Sequence, residues 1–252
     1  MSAACVLLTR PRKESRETAR TLAARGIGSI RMPLQATRRA PASARLAADL
    51  AFAGGASIQI FVSRAAVAAA AALAPSQLAA AGTRIAVGAA TAAALERLGL
   101  SSVRTPGHAE DSEGILGLPV LQSVAGMRIA IWAAPGGRDR MATELALRGA
   151  EVRALMVYRR IPLRPRQPAL RRLRLCPQAV VLSASSGLLL QALDAALARH
   201  RLTALRERPL IVASARIAAL AAGLGYHDVR IARGASAQAL AEALGRTPQP
   251  QA

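Results

Sequence analysis

The chain has 252 residues, of which 52% are hydrophobic, and its formal charge is +20 from 34 basic and 14 acidic side chains. This apolar fraction is sufficient for a packed core, so the composition excludes a globally disordered chain. The aromatic content of 2% disfavours recognition of single-stranded nucleic acid by base stacking. The charge favours an acidic ligand, but a coding bias toward arginine explains it as well, since Lys13 is the only lysine.

The first half of the chain predicts four strands that alternate with helices. Gly26, Gly99 and Gly149 end three of these helices, and glycine is the usual residue at a helix C-terminus. The predicted strands are residues 5–8, 58–62, 84–87 and 128–132.

The second half of the chain repeats this pattern. It predicts strands at 179–182 and 210–213, a turn from Ser183 to Gly187, a last helix at 236–244 and a frayed tail at 246–252. Strands that alternate with helices form parallel sheets covered on both faces. The predicted fold class is therefore α/β.

Two arginine-rich segments, Ser29–Arg39 and Glu151–Pro162, are extended and each follows a helix-ending glycine. They predict paired linkers between two domains, of which the first is discontinuous. Its residues would be 1–34 plus 162–245, and the second domain would be 35–161. Ordinary edge strands are the alternative interpretation of both segments.

The two cysteines indicate neither a disulfide nor a metal site. Cys5 and Cys176 lie far apart, and Cys5 falls in an apolar strand, which predicts an inert thiol. Met1–Arg25 lacks the apolar core of a secretory leader. Pro75 and Gly82 interrupt the uncharged stretch that begins at Ala65, so no transmembrane span is expected. These features predict a cytoplasmic protein.

Small hydroxyl and glycine residues follow most of the predicted strands. In open α/β sheets ligands bind beyond the carboxyl ends of the strands, and helix N-termini suit carboxylates or phosphates. Ordinary helix capping without function is the alternative. The candidate residues are Thr9, Ser63, Gly88, Thr91, Gly136, Gly137, Ser183, Ser185 and Ser214.

Several signatures of catalytic chemistry are missing from the sequence. It has no P-loop, no G-x-G-x-x-G and no G-x-S-x-G motif. His108, His200 and His227 have no partners at metal-ligand spacing. We therefore expect no cofactor and no metal. Tyr158, in the second linker, is a candidate hydrogen-bond donor; a half-buried strand tyrosine is the alternative.

Short motifs along most of the chain resemble, in order, those of the uroporphyrinogen-III synthases. They are Thr9-Arg10-Pro11, Phe61-Val62-Ser63-Arg64-Ala65, Val87-Gly88-Ala89-Ala90-Thr91, Trp132-Ala133-Ala134-Pro135-Gly136-Gly137-Arg138, Tyr158-Arg159-Arg160 and Ser214-Ala215-Arg216-Ile217-Ala218. Two positions depart from the family pattern. Ala65 stands where asparagine is usual, and Ala184 where serine is usual.

The resemblance implies two flavodoxin-like parallel-sheet domains joined by a two-stranded linker. It also implies a lyase of haem biosynthesis that cyclises hydroxymethylbilane, a linear tetrapyrrole with many carboxylates, with inversion of the last pyrrole ring and loss of water. Tyr158 would assist departure of the hydroxyl group. The strand-end hydroxyls and amides would hold carboxylates, and Arg10 and Arg138 would add positive charge.

Two other functions remain open at this point. The first is a non-catalytic binding module for an acidic small molecule, which the alanines at 65 and 184 favour. The second is a nucleic-acid-binding protein, which the charge suggests but the scattered arginines disfavour. The expected partners are the small-molecule substrate, with no nucleic acid and no membrane. A monomer is expected, with a possible transient contact to the preceding pathway enzyme.

Overall fold

The structure is a computed structural model that describes residues 5–80, 82–107, 112–135 and 139–245, the side chain of Asp139 excepted. Gly136, Gly137, Arg138 and the tail from residue 246 lie outside these ranges. In chain order the strands are β1 Cys5–Leu8, β2 Gly28–Arg31, β3 Gln35–Arg39, β4 Ile58–Phe61, β5 Thr83–Ala86, β6 Val103–Arg104, β7 Arg128–Ala133, β8 Glu151–Met156, β9 Tyr158–Pro162, β10 Val180–Ala184, β11 Leu210–Val212 and β12 Val229–Ile231. The α-helices are α1 Arg12–Ala23, α2 Ala44–Gly54, α3 Arg64–Leu73, α4 Pro75–Ala79, α5 Ala89–Glu96, α6 Ser112–Leu116, α7 Asp139–Leu147, α8 Gln167–Leu175, α9 Gly187–Arg199, α10 Ala215–Gly223 and α11 Ala237–Gly245. Short 3₁₀ turns lie at Pro119–Leu121, Pro177–Ala179 and Thr203–Glu207.

The chain divides into two compact units. The first unit consists of the residues up to Ala36 together with those from Ile161 onward, and the second is Thr37–Arg160. Each unit contains one five-stranded parallel sheet. The predicted α/β class with two parallel sheets is therefore confirmed. The domain boundaries predicted at residues 34/35 and 161/162 stay a prediction.

The sheet of the first unit has the strand order β12-β11-β10-β1-β2. Val6 pairs with Val181 and Leu182 pairs with Leu210, so β10 lies at the centre. The direction of strand succession reverses between β1 and β10. Open α/β sheets bind ligands at such a switch point, beyond the carboxyl ends of the two strands.

Successive side chains of β1 pack into apolar clusters on opposite faces of this sheet. Val6 and Leu8 pack with Leu22 of α1 on one face. Leu7 packs on the other face, in a cluster that includes Leu170 of α8 and Leu193 of α9. The period of two residues explains this division, since successive strand side chains point to opposite faces.

The sheet of the second unit has the order β6-β5-β4-β7-β8, with its switch point between β4 and β7. Ile60 and Ile131 pair across these strands and face a cluster completed by α6 and α7. Phe61 and Trp132 face the opposite way, toward α2, α3 and α5. Their rings are stacked, with centroids 5.6 Å apart and planes 7° apart, which adds a specific contact to the apolar burial.

Strands β3 and β9 form a separate two-stranded sheet. The amide of Ala40 donates to the carbonyl of Val157 at 2.9 Å, and the amide of Leu163 donates to the carbonyl of Leu34 at 2.8 Å. The two extended segments of the sequence are thus each divided. The first part of each is an edge strand, β2 or β8, and the second part is a linker strand.

Other differences from the predicted elements have simple causes. The sequence predicts that the first helix starts near Glu14, whereas helix α1 begins at Arg12, directly after the N-cap residue Pro11, whose ring fixes φ near the helical value. Helix α2 was not predicted, although Ser43 caps it by accepting the amide of Leu46 at 3.1 Å. Strand β10 extends through Ser183, which the sequence analysis placed in a turn. This placement was wrong because a hydroxyl in a buried strand can donate to a backbone carbonyl. Ser183 does so to the carbonyl of Leu7.

Both cysteines are free thiols, and Cys5 is half-buried. Burial raises the pKa of the Cys5 thiol, which keeps it protonated and unreactive at neutral pH. None of the described helices is long and apolar enough to cross a membrane.

Candidate active site

Thr9 and Ser183 lock the two strands at the switch point of the first unit. The hydroxyl of Thr9 donates to the carbonyl of Ser183 at 3.1 Å, and the hydroxyl of Ser183 donates to the carbonyl of Leu7 at 2.5 Å. Both side chains are buried, at 1% and 8% exposure. The structure therefore uses these two predicted hydroxyls to fix the edge of the sheet.

Arg10 is held beside this edge by two contacts. Its Nη1 donates to the carbonyl of Ala235 at 2.6 Å, and its Nη2 pairs with Glu14 at 2.7 Å. The side chain of Arg10 is 22% exposed to solvent. It is thus a fixed, partly neutralised positive charge that links the start of α1 to the segment before α11.

A small cavity lies beyond the carboxyl ends of β1, β10 and β11. Its volume is about 30 Å³, and Arg10, Ser185, Ala213, Ala235 and Ser236 are among its lining residues. A cavity of this size accepts a carboxylate-sized group but not a larger part of a ligand. It is formed entirely by residues of the first unit.

Ser185 and Ser214 are the predicted residues whose hydroxyls stay available at this edge. Ser185 lines the cavity, and Ser214 occupies the N-cap position of α10 without a side-chain capping bond. In the ranges that the structure describes, neither hydroxyl has a hydrogen-bond partner. Both residues are half-buried, so each can donate to an anion at the sheet edge.

Sequence analysis missed two capping serines at the same edge. Ser186 caps α9 by accepting the amide of Leu189 at 3.3 Å, and Ser236 caps α11 by accepting the amide of Ala239 at 3.0 Å. The signal was present, because each is the last serine before a helical apolar pattern. In the run Ser183 to Ser186, sequence analysis named Ser183 and Ser185, whereas the residue that caps α9 is Ser186.

In the second unit, Ser63 and Tyr158 meet at the carboxyl edge of the sheet. Ser63 follows β4 and caps α3 by accepting the amide of Ala66 at 3.1 Å. Its Oγ lies 3.0 Å from the hydroxyl of Tyr158. Tyr158 is the first residue of β9 and follows the end of β8 by two positions. The predicted candidates from the second and fifth motifs are thus brought into direct contact.

Tyr158 is 2% exposed and packs in the apolar cluster of the second unit. Arg160 Nη2 donates to the tyrosine hydroxyl at 3.5 Å, and the guanidinium lies 5.8 Å from the ring centroid. Arginine is only a donor, so it occupies a lone pair of the phenol oxygen. The phenol proton is then shared with Ser63 Oγ at 3.0 Å or directed to another acceptor, because either hydroxyl can be the donor of that pair.

Gly88 and Thr91 lie at the start of α5, at the end of the neighbouring strand β5. Gly88 is the N-cap residue in an extended conformation, and its carbonyl accepts the amide of Thr91 at 3.0 Å. Thr91 is 5% exposed. Among the described residues no partner of its hydroxyl is found, which leaves it available to a ligand. Gly136, Gly137 and Arg138 lie outside the described residues.

The arrangement is that of two sheet edges that offer neutral hydroxyls, helix N-termini and a few arginines. In the described part of the chain, no group of three or more His, Cys, Asp or Glu side chains could hold a metal ion. Such edges can bind carboxylates and donate a proton from a phenol.

Comparison with known proteins points to one family. The family model described as Uroporphyrinogen-III synthase HemD matches residues 16–242. The uroporphyrinogen-III synthase of Salmonella typhimurium is 36% identical over 161 residues, which is 63% of this chain and 65% of that protein. The enzyme of the same name from Escherichia coli is 36% identical over 163 residues, with the same shares. The chain thus matches just under two thirds of the length of these relatives.

Two solved structures share the fold. A mutant uroporphyrinogen III synthase from Thermus thermophilus has a TM-score of 0.59 and 21% identity, covering 97% of this chain and all of that one (100%). The uroporphyrinogen-III synthetase of Helicobacter pylori has a TM-score of 0.62 and 13% identity, covering 98% of this chain and 100% of that one. At these identities the likeness establishes the fold alone.

Proposed function

The chain belongs to the uroporphyrinogen-III synthase family, and on this premise we propose that it cyclises hydroxymethylbilane to uroporphyrinogen III. The reaction is a lyase step of tetrapyrrole and haem biosynthesis in which the bilane loses its terminal hydroxyl group as water and the last pyrrole ring is inverted. The observation that supports it most directly is the contact of Ser63 with Tyr158, 3.0 Å between hydroxyl oxygens.

The first step of the proposed mechanism is the departure of water. As the bond from carbon to the terminal hydroxyl group breaks, the ring nitrogen gives up its N–H proton and the hydroxyl group leaves as water, which gives an azafulvene. We assign to Tyr158 a hydrogen bond to the departing oxygen that assists this step. Arg160 donates to the phenol oxygen and Ser63 forms a hydrogen bond with the same hydroxyl, so both hold its orientation. Because Tyr158 is 2% exposed, the substrate has to displace the surrounding side chains to reach it.

The second step is ring inversion, and it depends on positioning. The last ring attacks through its substituted carbon, forms a spiro intermediate, fragments and closes again in the inverted orientation. In water the bilane closes without inversion, so the protein must favour the less accessible approach. Holding the carboxylates of the last ring in one orientation is sufficient for that, and no cofactor is required.

Available hydroxyls and helix N-termini are the proposed carboxylate sites. Thr91, Ser185 and Ser214 have no protein partner among the described residues, and each lies in the first turn of a helix or just before one. Arg10 adds charge beside Ser185. Thr9 and Ser183 act indirectly, since their hydroxyls fix the strand ends. The net charge of +20 attracts a substrate with many carboxylates.

The test is to supply freshly prepared hydroxymethylbilane and to separate the uroporphyrin isomers after oxidation. We expect type III isomer in the presence of the protein and type I isomer in its absence. The Tyr158→Phe variant serves as the matched control for chemistry at the site. Type I isomer alone, at any protein concentration, would reject the proposed activity.

A non-catalytic binding module is the second candidate, and one observation favours it. Ala65 is half-buried two residues after Ser63 on α3, where the family usually has an amide side chain. Binding of the bilane without formation of type III isomer would select this alternative.

We also propose that the protein works in the cytoplasm as a monomer, with a transient contact to the enzyme that supplies the bilane. Light scattering of the purified chain tests whether it is a monomer. The contact with the supplying enzyme predicts that bilane is transferred faster when that enzyme is present than from free solution.

A further inference from the structure

Five arginines surround one groove in the first unit. The groove has a volume of about 410 Å³ and lies beside the edge strand β2, between α1 and α8. We call it the arginine groove, and its arginines are Arg12, Arg16, Arg31, Arg166 and Arg172.

The fold places these arginines together for a simple reason. Helix α1 turns Leu22 toward the core, and α8 turns Leu170 and Leu173 toward it. The polar faces of both helices therefore face solvent, and they flank the exposed side chain of Arg31 at the end of β2. All five guanidinium-bearing residues are exposed.

Their charges are not neutralised within the protein. In the part of the chain that the structure describes, none of the five forms an ion pair or a side-chain hydrogen bond, and no acidic residue is among those that line the groove. Other arginines do have carboxylate partners, as in Arg206 with Asp194 at 2.8 Å and Arg230 with Asp228 at 2.7 Å. The groove thus gathers like charges that repel one another.

We propose that the arginine groove binds a compact multivalent oxyanion, either a polyphosphate or a polycarboxylate. The planar guanidinium pairs with carboxylate and phosphate through two parallel hydrogen bonds. A volume of about 410 Å³ falls within the range of small-molecule sites, about 300–1,000 Å³. The site shares no lining residue with the cavity at Ser185, so the inference does not depend on the proposed function.

Calorimetric titration of the full chain tests the proposal. The probes are tripolyphosphate and citrate, with acetate as a singly charged comparison. We expect one saturable site for at least one multivalent probe and binding at least about tenfold weaker for acetate, because each charge-assisted hydrogen bond adds affinity. Tighter binding of tripolyphosphate would assign the site to a polyphosphate, and tighter binding of citrate would assign it to a polycarboxylate.

The double variant Arg31→Gln with Arg166→Gln removes two charges from the groove. We expect it to weaken the multivalent probe by at least about tenfold. The double variant Arg199→Gln with Arg201→Gln removes two exposed arginines at the end of α9, neither of which lines the groove, and it should change affinity by less than about twofold because distant surface charges are screened.

Three results would overturn the inference. They are no saturable binding of either multivalent probe, equal weakening by both double variants, and tighter binding of a DNA duplex that the groove variant alone abolishes. The second result would indicate diffuse attraction to a basic chain, and the third a nucleic-acid surface. Circular dichroism checks the folding of each variant. The single variant Arg31→Gln, with an expected loss of about threefold or more, repeats the test if the pair unfolds.

Discussion

Replacing Gln59 with leucine should remove the polar centre of the core in the second unit. Gln59 is 1% exposed, and its side chain makes three hydrogen bonds. Its Nε2 donates to the carbonyl of Gln77 at 2.7 Å and to that of Ala53 at 3.3 Å. Its Oε1 accepts the indole N–H of Trp132 at 3.1 Å. A leucine of similar size fills the space but makes none of these bonds.

The expected loss of stability follows from the groups left without partners. The indole of Trp132 is fully buried, and an orphaned buried donor or acceptor costs about 1–3 kcal/mol. The Gln77 carbonyl loses its donor as well, whereas the Ala53 carbonyl still accepts the amide of Ala56 at 3.2 Å. Apolar burial of leucine offsets part of this cost. We expect a net loss of about 2–4 kcal/mol in the free energy of unfolding.

The assay is urea unfolding followed by the fluorescence of Trp132, which is the only tryptophan of the chain and reports on the second unit. Gln122→Leu is the matched control. Gln122 also donates to two carbonyls, at 2.8 and 3.2 Å, but it is exposed. Water can replace its bonds, so the control should lose less than about 1 kcal/mol. A Gln59→Leu protein within about 0.5 kcal/mol of the parent, with an unchanged denaturant slope, would refute the reasoning.

Three further predictions address catalysis, pH dependence and backbone strain. Tyr158→Phe should lower the initial rate of type III isomer formation by about 10- to 100-fold, because it removes one proton donor from the transition state. Burial, with the Asp194 charge, raises the pKa of Tyr226 above its ordinary value of 10.0. The unfolded chain therefore loses this proton first, so stability should be constant below pH 10 and fall above it by up to about 1.4 kcal/mol per pH unit. Gly82→Ala should destabilise the protein by about 2 kcal/mol or more, since φ is +142° and the new Cβ would lie 2.8 and 3.0 Å from carbonyl oxygens. Gly107→Ala, where no atom lies within 4 Å, should be neutral.

Each of these predictions has a defined contrary result. An unchanged rate in Tyr158→Phe removes this residue from the mechanism. The alkaline loss of stability should be smaller in Tyr226→Phe, as followed by circular dichroism from pH 9 to 11, and an identical profile would contradict the assignment. Equal stabilities of the Gly82→Ala and Gly107→Ala proteins in urea would show that the backbone near residue 82 adjusts without strain.

The elements with a strong local signal could be predicted from the sequence. Strands β1, β4, β7 and β11 are apolar runs bounded by turn residues, and a glycine follows shortly after helices such as α5, where Gly99 has a positive φ. Strands β6 and β12 have two and three residues and lie at sheet edges, where few side chains are buried. Short edge strands have no clear period, so their existence depends on the neighbouring strand and not on local preference.

The candidate site was predictable by residue type and not by contact. Ser63 and Tyr158 were both identified, but they are 95 positions apart, and their pairing depends on the order of β4, β7 and β8. The hydroxyls of Thr9 and Ser183 were predicted to face a ligand. They bond to backbone carbonyls because two adjacent parallel strands end at that point, which the sequence of either strand alone does not reveal.

The pairing of Val6 with Val181 determines when the first unit can form during synthesis. At a ribosomal rate of about 5–20 residues per second, strand β1 waits about 10–30 s for its central neighbour β10. All residues of the second unit, up to Arg160, emerge before β10 does. The apolar strand β1 is therefore a nascent segment that has to be protected from aggregation until β10, at Val180–Ala184, has been translated.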